Sequence, residues 1–178
     1  MMMTVVVWFR DDLRLADHPA LDAAAAVGAV VPVFVRDASF TGLGGAARWW
    51  LHRALGALGH DIAAKGGHLN LLTGDVAEAL SHAAAQAGAD EIHALASRVP
   101  AERAMQERVA RKLAEEEVRL VLHPGALLHQ PKSIRTGAGT AYSVFTPFWR
   151  AFSAIEVAPP QPSAPPQWVD RRFGESLA

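Results

Sequence analysis

Several kinds of chemistry are excluded by what this 178-residue chain lacks. It contains no cysteine, so disulfide bonds, thiolate metal sites and cysteine nucleophiles are excluded. No apolar run approaches the roughly 18 residues that a membrane-spanning helix needs, so we expect no membrane partner. The eight histidines never show an HxxxH or HExxH spacing, and no serine stands in a nucleophile-elbow context. We therefore expect neither a metal site nor a catalytic residue in this chain.

An excess of charge of one sign is also missing. Seventeen basic and 18 acidic residues give a net charge of −1, and the isoelectric point is near 6.7. Domains that bind DNA through a broad basic face usually have an isoelectric point above about 9, so we expect weak DNA binding by this chain alone. The first apolar stretch follows no basic region, which is typical of a strand rather than a signal peptide. The sequence thus predicts a cytoplasmic domain.

What the chain does contain is a regular alternation of β-branched runs with alanine-rich segments. Strands are predicted at residues 4–9, 29–35, 68–72, 91–95 and 118–122. Helices are predicted at residues 19–27, 43–65, 75–87 and 100–117. Parallel strands need crossover connections, so this alternation predicts an α/β fold with a Rossmann-like, doubly wound, five-stranded parallel sheet between two layers of helices. Ligands of such sheets bind at the carboxyl ends of the strands.

The last part of the chain departs from this alternation. Five of the ten residues from 158 to 167 are proline, which is typical of an extended linker. We therefore predict a domain over residues 1–157 and an interdomain linker over residues 158–178. The aromatic residues at 145–149 should pack either on this domain or against another one, because a large exposed apolar patch favours aggregation.

Two groups of side chains remain open to more than one interpretation. The turn after the first strand has no glycine, so the dinucleotide-binding fingerprint is absent. The charged residues of this turn, Arg10, Asp12 and Arg14, either fix the turn or line a ligand crevice. The adjacent Trp49 and Trp50 point about 100° apart on a helix, so at least one should belong to the core.

The order of several motifs resembles the DNA photolyase and cryptochrome family. Residues 6–21, VVWFRDDLRLADHPAL, are similar to the WFRxDLRLxDxPAL run that opens this family. The RWWL run at residues 48–51 and the GD pair at residues 74–75 resemble later family motifs. The YSVFTPFWR run at residues 142–150 does so too. The similarity covers almost the whole chain, so the chain is identified as the N-terminal, antenna-type domain of that family.

This resemblance implies a division of labour. In the family, the N-terminal α/β domain holds an antenna pigment in many members, while a C-terminal helical domain binds FAD and the DNA lesion. The present chain matches only the first of these, so we expect no repair activity from it alone. Its expected partner is a C-terminal FAD-binding helical domain, and DNA would be contacted only through the full-length protein.

Candidate pigment-binding residues follow from the same resemblance. Phe34, Arg36, Arg48 and His52 match the region where flavin- and deazaflavin-antenna relatives hold their pigment, and Arg10 borders it. FMN or deazaflavin is therefore expected rather than folate. Residues 95–100, LASRVP, lack the asparagine, aspartate and glutamate with which relatives contact the pigment. Two alternatives stay open: a stand-alone nucleotide- or flavin-binding module, and a vestigial domain with an empty crevice.

Overall fold

The computed structural model describes residues 3–125, 127–129, 132–157, 159–160 and 165–175. Five strands are present in these residues: β1 (Thr4–Phe9), β2 (Ala29–Arg36), β3 (Asn70–Thr73), β4 (Ala89–Leu95) and β5 (Arg119–His123). Five α-helices accompany them: α1 (Pro19–Val27), α2 (Gly45–Ala63), α3 (Val76–Ala87), α4 (Pro100–Ala114) and α5 (Phe145–Ser153). A short 3₁₀ helix, Ala38–Gly42, separates β2 from α2.

The sheet is parallel throughout and has the strand order β3-β2-β1-β4-β5. The order reverses between β1 and β4, so α1 and α2 cover one face while α3 and α4 cover the other. This arrangement confirms the predicted Rossmann-like, doubly wound α/β fold. It also brings the carboxyl ends of all five strands to one side of the molecule.

The core forms because β1 and β2 are apolar on both faces. Alternate residues of a strand point to opposite sides of the sheet. Val6 and Trp8 therefore pack with α3 and α4, whereas Val5, Val7 and Phe9 pack with α1 and α2. All five side chains are at most 1% exposed. Burial on two faces explains why these strands read as continuous apolar runs.

Helix ends follow local chemistry that the sequence predicts. Asp75 caps α3 by accepting hydrogen bonds from the backbone N–H groups of Ala77 and Glu78 at 2.9 and 3.3 Å. Gly88 ends the same helix in the left-handed region, with φ of 64°. His18 caps α1, since its Nδ1 accepts a hydrogen bond from Leu21 N at 3.1 Å.

The chain's last described residues, 165–175, lie against the β3 edge of the sheet. Asn70, fully buried, donates through Nδ2 to Arg171 O at 2.9 Å, and its Oδ1 accepts from Phe173 N at 2.9 Å. Trp168 packs among the apolar residues on the α1 and α2 face, and Phe173 packs on the opposite face. Residues 165–175 of the predicted linker are thus held on the domain. The predicted boundary at residue 158 is itself outside the described residues.

Two aromatic regions lie largely outside the core. Trp49 and Trp50 are 63% and 62% exposed, so the prediction that at least one belongs to the core is wrong. The reason is that the first half of α2 extends beyond the sheet, and its buried residues begin only at Leu55. Helix α5, which the sequence analysis left unassigned, buries none of its residues.

The aromatic residues of α5 contact one another instead of the sheet. Phe145 and Trp149 are stacked with ring centroids 6.0 Å apart, and Trp149 and Phe152 are stacked at 5.7 Å. Spacings of three and four residues place these rings on one face of the helix. Phe145 is nevertheless 71% exposed and Trp149 is 53% exposed. His129 packs against Phe152 at the end of this face, with ring centroids 4.9 Å apart, whereas no described helix or strand covers Phe145 and Trp149.

No helix among the described residues is long and apolar enough to span a membrane.

A matched pair of glycine substitutions tests the packing at the start of β2. A Cβ atom on Gly28 would lie 2.1 Å from Met3 O, whereas one on Gly56, inside α2, would meet nothing within 4 Å. We expect Gly28→Ala to lower the free energy of unfolding by about 1–3 kcal/mol through overpacking. Gly56→Ala should raise it by roughly 1 kcal/mol through helix propensity. Urea unfolding of both variants measures this, and equal effects of the same sign would contradict the packing described.

Candidate functional site

A cavity of about 300 Å³ lies where β2 and β3 end beside the first turns of α2. Its apolar lining comes from Phe34, Phe40, Leu43, Leu51, Leu55, Leu71 and Leu72. Its polar lining comes from Arg36, Arg48, His52, Thr73 and Glu175. An apolar cavity with a few converging polar groups is the usual form of a small-molecule site.

The fold brings four of the five predicted pigment-binding residues to this cavity: Phe34, Arg36, Arg48 and His52. Phe34 and Arg36 are two apart on β2 and so share a face of the sheet. Arg48 and His52 are four apart on α2 and share a face of the helix. Arg10 does not line this cavity. It lines a larger, more open crevice of about 1010 Å³, which Arg36 and Arg48 also border.

The basic residues at this cavity are unpaired. Among the described residues, the side chains of Arg36, Arg48 and His52 have no hydrogen-bond or ion-pair partner, and all three residues are exposed. A guanidinium group presents several donors in a fixed planar arrangement that matches carboxylate and phosphate. Two such free groups beside an apolar cavity favour a ligand with an aromatic body and an anionic substituent.

Arg10 is, in contrast, held by residues of the chain itself. Its Nη1 donates to Asp37 Oδ2 at 2.8 Å, and its Nη2 donates to Ser39 Oγ at 3.2 Å. The guanidinium carbon lies 5.2 Å from the centre of the Phe40 ring, and Nε is 3.5 Å from Glu102 Oε1. These contacts fix the 3₁₀ helix that carries Phe40 to the cavity. The geometry of Arg10 is therefore that of a residue that positions Phe40.

The ionisation of Asp37 depends on this contact. Burial by itself would raise the pKa of Asp37, but hydrogen bonds from Ser39 and Arg10, together with the charge of Arg10, outweigh burial. The pKa of Asp37 therefore lies below its ordinary value. The Asp37 carboxylate also caps the 3₁₀ helix, since Oδ1 accepts from Ser39 N at 2.7 Å.

The rest of the turn after β1 is cross-linked internally. Asp12 Oδ1 accepts from Arg10 N at 2.7 Å, and Asp12 Oδ2 lies 2.8 Å from Nε2 of the fully buried His18. Arg14 donates to the backbone oxygens of Ala16 and Asp17. For Asp12 and Arg14, the geometry favours the interpretation that they fix the turn.

A second crevice of about 260 Å³ lies between the ends of β1 and β4, at the point where the strand order reverses. Its lining includes Asp11, whose pKa is raised by burial and by the nearby carboxylate of Glu102, with Arg10 acting in the opposite direction. The Nε1 atom of Trp8, which also lines it, is buried and has no hydrogen-bond partner among the described residues.

Residues 95–100, which lack the expected pigment contacts, border this second crevice. Here Ser97 donates to Glu102 Oε2, and Ser97 N donates to Gln106 Oε1 at 3.0 Å. Gln106 Nε2 in turn donates to Leu95 O at 2.8 Å. The polar groups after β4 are therefore satisfied within the chain, and they leave few donors for a ligand.

Two residues that line the cavity, Phe40 and Glu175, are not among the residues predicted from the sequence. Phe40 reaches the cavity through the 3₁₀ helix, for which the pair Asp37 and Ser39 after a strand is a usable capping signal. Glu175 reaches it from the C-terminal segment, which was predicted only as linker. No local signal identifies Glu175, because its position depends on a contact with β3 more than a hundred residues earlier in the chain.

Fold and cavity together define a doubly wound α/β domain with a largely apolar cavity at the carboxyl ends of β2 and β3. A sequence profile of the DNA photolyase family matches residues 5–167. The chain therefore belongs to the DNA photolyase family, as its motifs predict. Members of this family bind flavin and antenna chromophores.

Named relatives agree with this assignment. The deoxyribodipyrimidine photo-lyase of Agrobacterium fabrum is 39% identical over 92% of this chain and 34% of its own length. Cryptochrome-2 of Arabidopsis thaliana is 30% identical over 92% of this chain and 27% of its own length. The chain thus spans about a third of these relatives. It corresponds to their N-terminal part.

Solved structures show the same fold. A bacterial class III photolyase from Agrobacterium tumefaciens superposes with a TM-score of 0.88 at 36% identity, covering 99% of this chain and 38% of its own. An archaeal photolyase from Sulfolobus tokodaii, solved with two FAD molecules, gives a TM-score of 0.77 at 22% identity. It covers 97% of this chain and 39% of its own.

Substitution of Arg10 tests its positioning role. In Arg10→Gln, the pKa of Asp37 should rise toward its ordinary value of 3.8, because the guanidinium no longer stabilises the carboxylate. A lowered pKa in the folded state stabilises the fold above pH 3.8, and this stabilisation disappears as the pH falls through the folded-state value. The variant should therefore lose less stability on acidification than the wild type.

Carboxyl NMR titration and urea unfolding across the acidic range measure both effects. Arg103→Gln is the control, since Arg103 is exposed on α4 and lines none of the crevices described. An unchanged Asp37 pKa in Arg10→Gln would contradict the positioning role.

Proposed function

We propose that the cavity at the ends of β2 and β3 binds an antenna chromophore, FMN or a deazaflavin. A pigment bound there would absorb light and pass the excitation energy to FAD in the rest of a photolyase or cryptochrome-like protein. The observation that carries this proposal is the pair of unpaired guanidinium groups, Arg36 and Arg48, beside an apolar cavity. The chain's part in light-driven DNA repair is thus that of a pigment-holding scaffold, in a protein that we place in the cytoplasm.

The residues of the cavity supply three kinds of contact for such a ligand. Phe40, whose ring centroid lies 5.5 Å from that of the buried Phe34, offers apolar and aromatic surface to a flat ring system. Arg36 and Arg48 offer charge-assisted hydrogen bonds to a phosphate or to another anionic group. His52 adds a further polar group on the same face of α2 as Arg48.

We expect folate to bind this chain less well than a flavin-type pigment. Relatives contact their pigment through polar residues after β4, and here those positions are occupied by residues 95–100. The Ser97 hydroxyl donates to Glu102, and the Gln106 side chain bonds to the backbone of Ser97 and Leu95. A ligand that requires donors from this segment would leave its own polar groups unpaired, which lowers affinity strongly.

The same segment favours a second candidate function. If ligand contacts after β4 are needed for affinity, the domain is a vestigial scaffold with an empty crevice. A stand-alone module that holds a flavin or nucleotide for another purpose would use the same cavity as the antenna. A ligand-binding measurement distinguishes the vestigial scaffold, which binds no ligand, from the antenna domain and the stand-alone module, which both bind one.

The aromatic face of α5 supports the proposed partner. Phe145 and Trp149 are exposed and stacked on each other, with no described element over them. Aromatic residues are enriched at protein interfaces, where they bury a large area at low entropic cost. We propose that this face packs on the C-terminal FAD-binding helical domain, and that DNA is contacted only through the assembled protein.

Binding of FMN tests the cavity directly. Titration of the purified chain should change the visible spectrum of FMN. In Arg48→Ala, affinity should fall about tenfold or more, because a charge-assisted hydrogen bond contributes roughly 1.5–3 kcal/mol. Riboflavin, which lacks the phosphate, should lose little affinity in that variant. Arg53→Ala is the matched control, since Arg53 lies on the same helix with its guanidinium over the Trp49 ring, 5.5 Å from its centre.

Two results would count against the antenna proposal. If FMN, a deazaflavin and folate all fail to bind the wild-type chain, the cavity is empty and the vestigial interpretation holds. If Arg48→Ala binds FMN as tightly as Arg53→Ala does, the ligand lies elsewhere in the chain.

A chimeric protein tests the proposed partner. This chain would replace the matched N-terminal third of the Agrobacterium fabrum photo-lyase, which is 39% identical. The chimera should retain FAD, whereas the double variant Phe145→Ser/Trp149→Ser should retain less because its interface has lost two large apolar side chains. Val27→Ser/Val99→Ser serves as a control at exposed apolar positions away from α5. Equal FAD retention in all three proteins would exclude an interface role for α5.

A further inference from the structure

One wall of the cavity comes from the C-terminal segment, residues 165–175, rather than from the α/β alternation. Gly174 passes so close to β3 that a Cβ atom there would lie 2.6 Å from Leu71 O. This close approach lets the next residue, Glu175, donate its backbone N–H to Leu71 O at 2.7 Å. Glu175 is thereby placed on the outer edge of β3, directly beside the cavity.

The side chain of Glu175 is oriented toward the polar lining. Its Oε1 accepts a hydrogen bond from Thr73 Oγ1 at 3.2 Å, and Thr73 itself lines the cavity. Among the described residues around this cavity, Glu175 is the one acidic group. It stands with Arg36, Arg48 and His52, yet it forms no ion pair with any of them.

The unpaired basic and acidic groups around the cavity restrict which ligands can satisfy them. A carboxylate can accept several hydrogen bonds, and Thr73 uses one of these positions. The arginines present donors to an anion, whereas Glu175 presents acceptors. A ligand satisfies both sets only if it carries an anionic group and, at another point, an N–H or hydroxyl donor.

We infer that Glu175 is a ligand-contacting residue of this cavity, which accepts a hydrogen bond from a ring N–H or a hydroxyl group of a flavin-type ligand. This inference rests on the proposed function, since it assigns a further contact to the same site. Ligand binding and docking of the C-terminal segment on β3 then strengthen each other, because the contact with Glu175 exists only when residues 165–175 lie on β3.

The experiment compares two ligands in three variants of the whole chain. The ligands are FMN and riboflavin, and the variants are Glu175→Gln, Arg48→Ala and the control Glu107→Gln, an exposed position on α4. Glu175→Gln keeps the acceptor for Thr73 and removes the charge. We expect it to weaken FMN and riboflavin binding by the same factor, about tenfold, since both ligands carry the donor groups.

Arg48→Ala gives the opposite pattern and separates the inference from the proposed function. It should weaken FMN binding much more than riboflavin binding, since only FMN carries a phosphate. Loss of FMN affinity in Arg48→Ala with no loss in Glu175→Gln overturns the role of Glu175 and leaves the proposed function standing. Tighter FMN binding in Glu175→Gln overturns it too, because Glu175 then acts only as a repelling charge. No binding of either ligand to the wild type overturns both.

Hydrogen exchange provides an independent readout of the coupling. The amides of Val169 and Glu175, which donate to Val30 O and Leu71 O, report docking of the segment. FMN should slow their exchange in the wild type and in Glu107→Gln, and have a smaller effect in Glu175→Gln. Equal protection by FMN in all three proteins overturns the coupling.

Discussion

Burial of β1 and β2 on both faces is the constraint on which the rest of the molecule depends. Neither strand carries a charged side chain before its last residue. Arg10, Arg36 and Asp37 therefore come at or just after the strand ends. Because parallel strands end on the same side, these charges gather there and create both the ion pairs and the cavity.

The arginines at this side divide into two groups. Arg10 is held by Asp37, Ser39 and the Phe40 ring, so its charge is already compensated. Arg36 and Arg48 have no such partners in the described chain. A charge that is compensated internally organises structure, whereas an uncompensated one leaves binding capacity for a ligand. This difference in pairing explains why the arginines at the carboxyl ends of the strands have different roles.

Much of the fold and part of the site could be predicted from local sequence. Two-sided burial identifies β1 and β2, while Asp75 and Gly88 mark the ends of α3. Once the topology is known, the grouping of Phe34 with Arg48 follows, because β2 leads into α2. Glu175 could not be predicted, since its place depends on packing against a distant strand. The exposure of Trp49 could not be predicted either, because helical periodicity does not reveal which face lacks a neighbour.

The shortness of β3 has a consequence for the integrity of the sheet. β3 has four residues and pairs with β2 only from Val33 onward. The preceding part of β2 would be an open edge, but Val30 N donates to Gln167 O and Val30 O accepts from Val169 N. The C-terminal segment thus serves as a protective strand. A chain cut before Gln167 would present unpaired backbone and apolar side chains to its neighbours, which is the template for edge-to-edge aggregation.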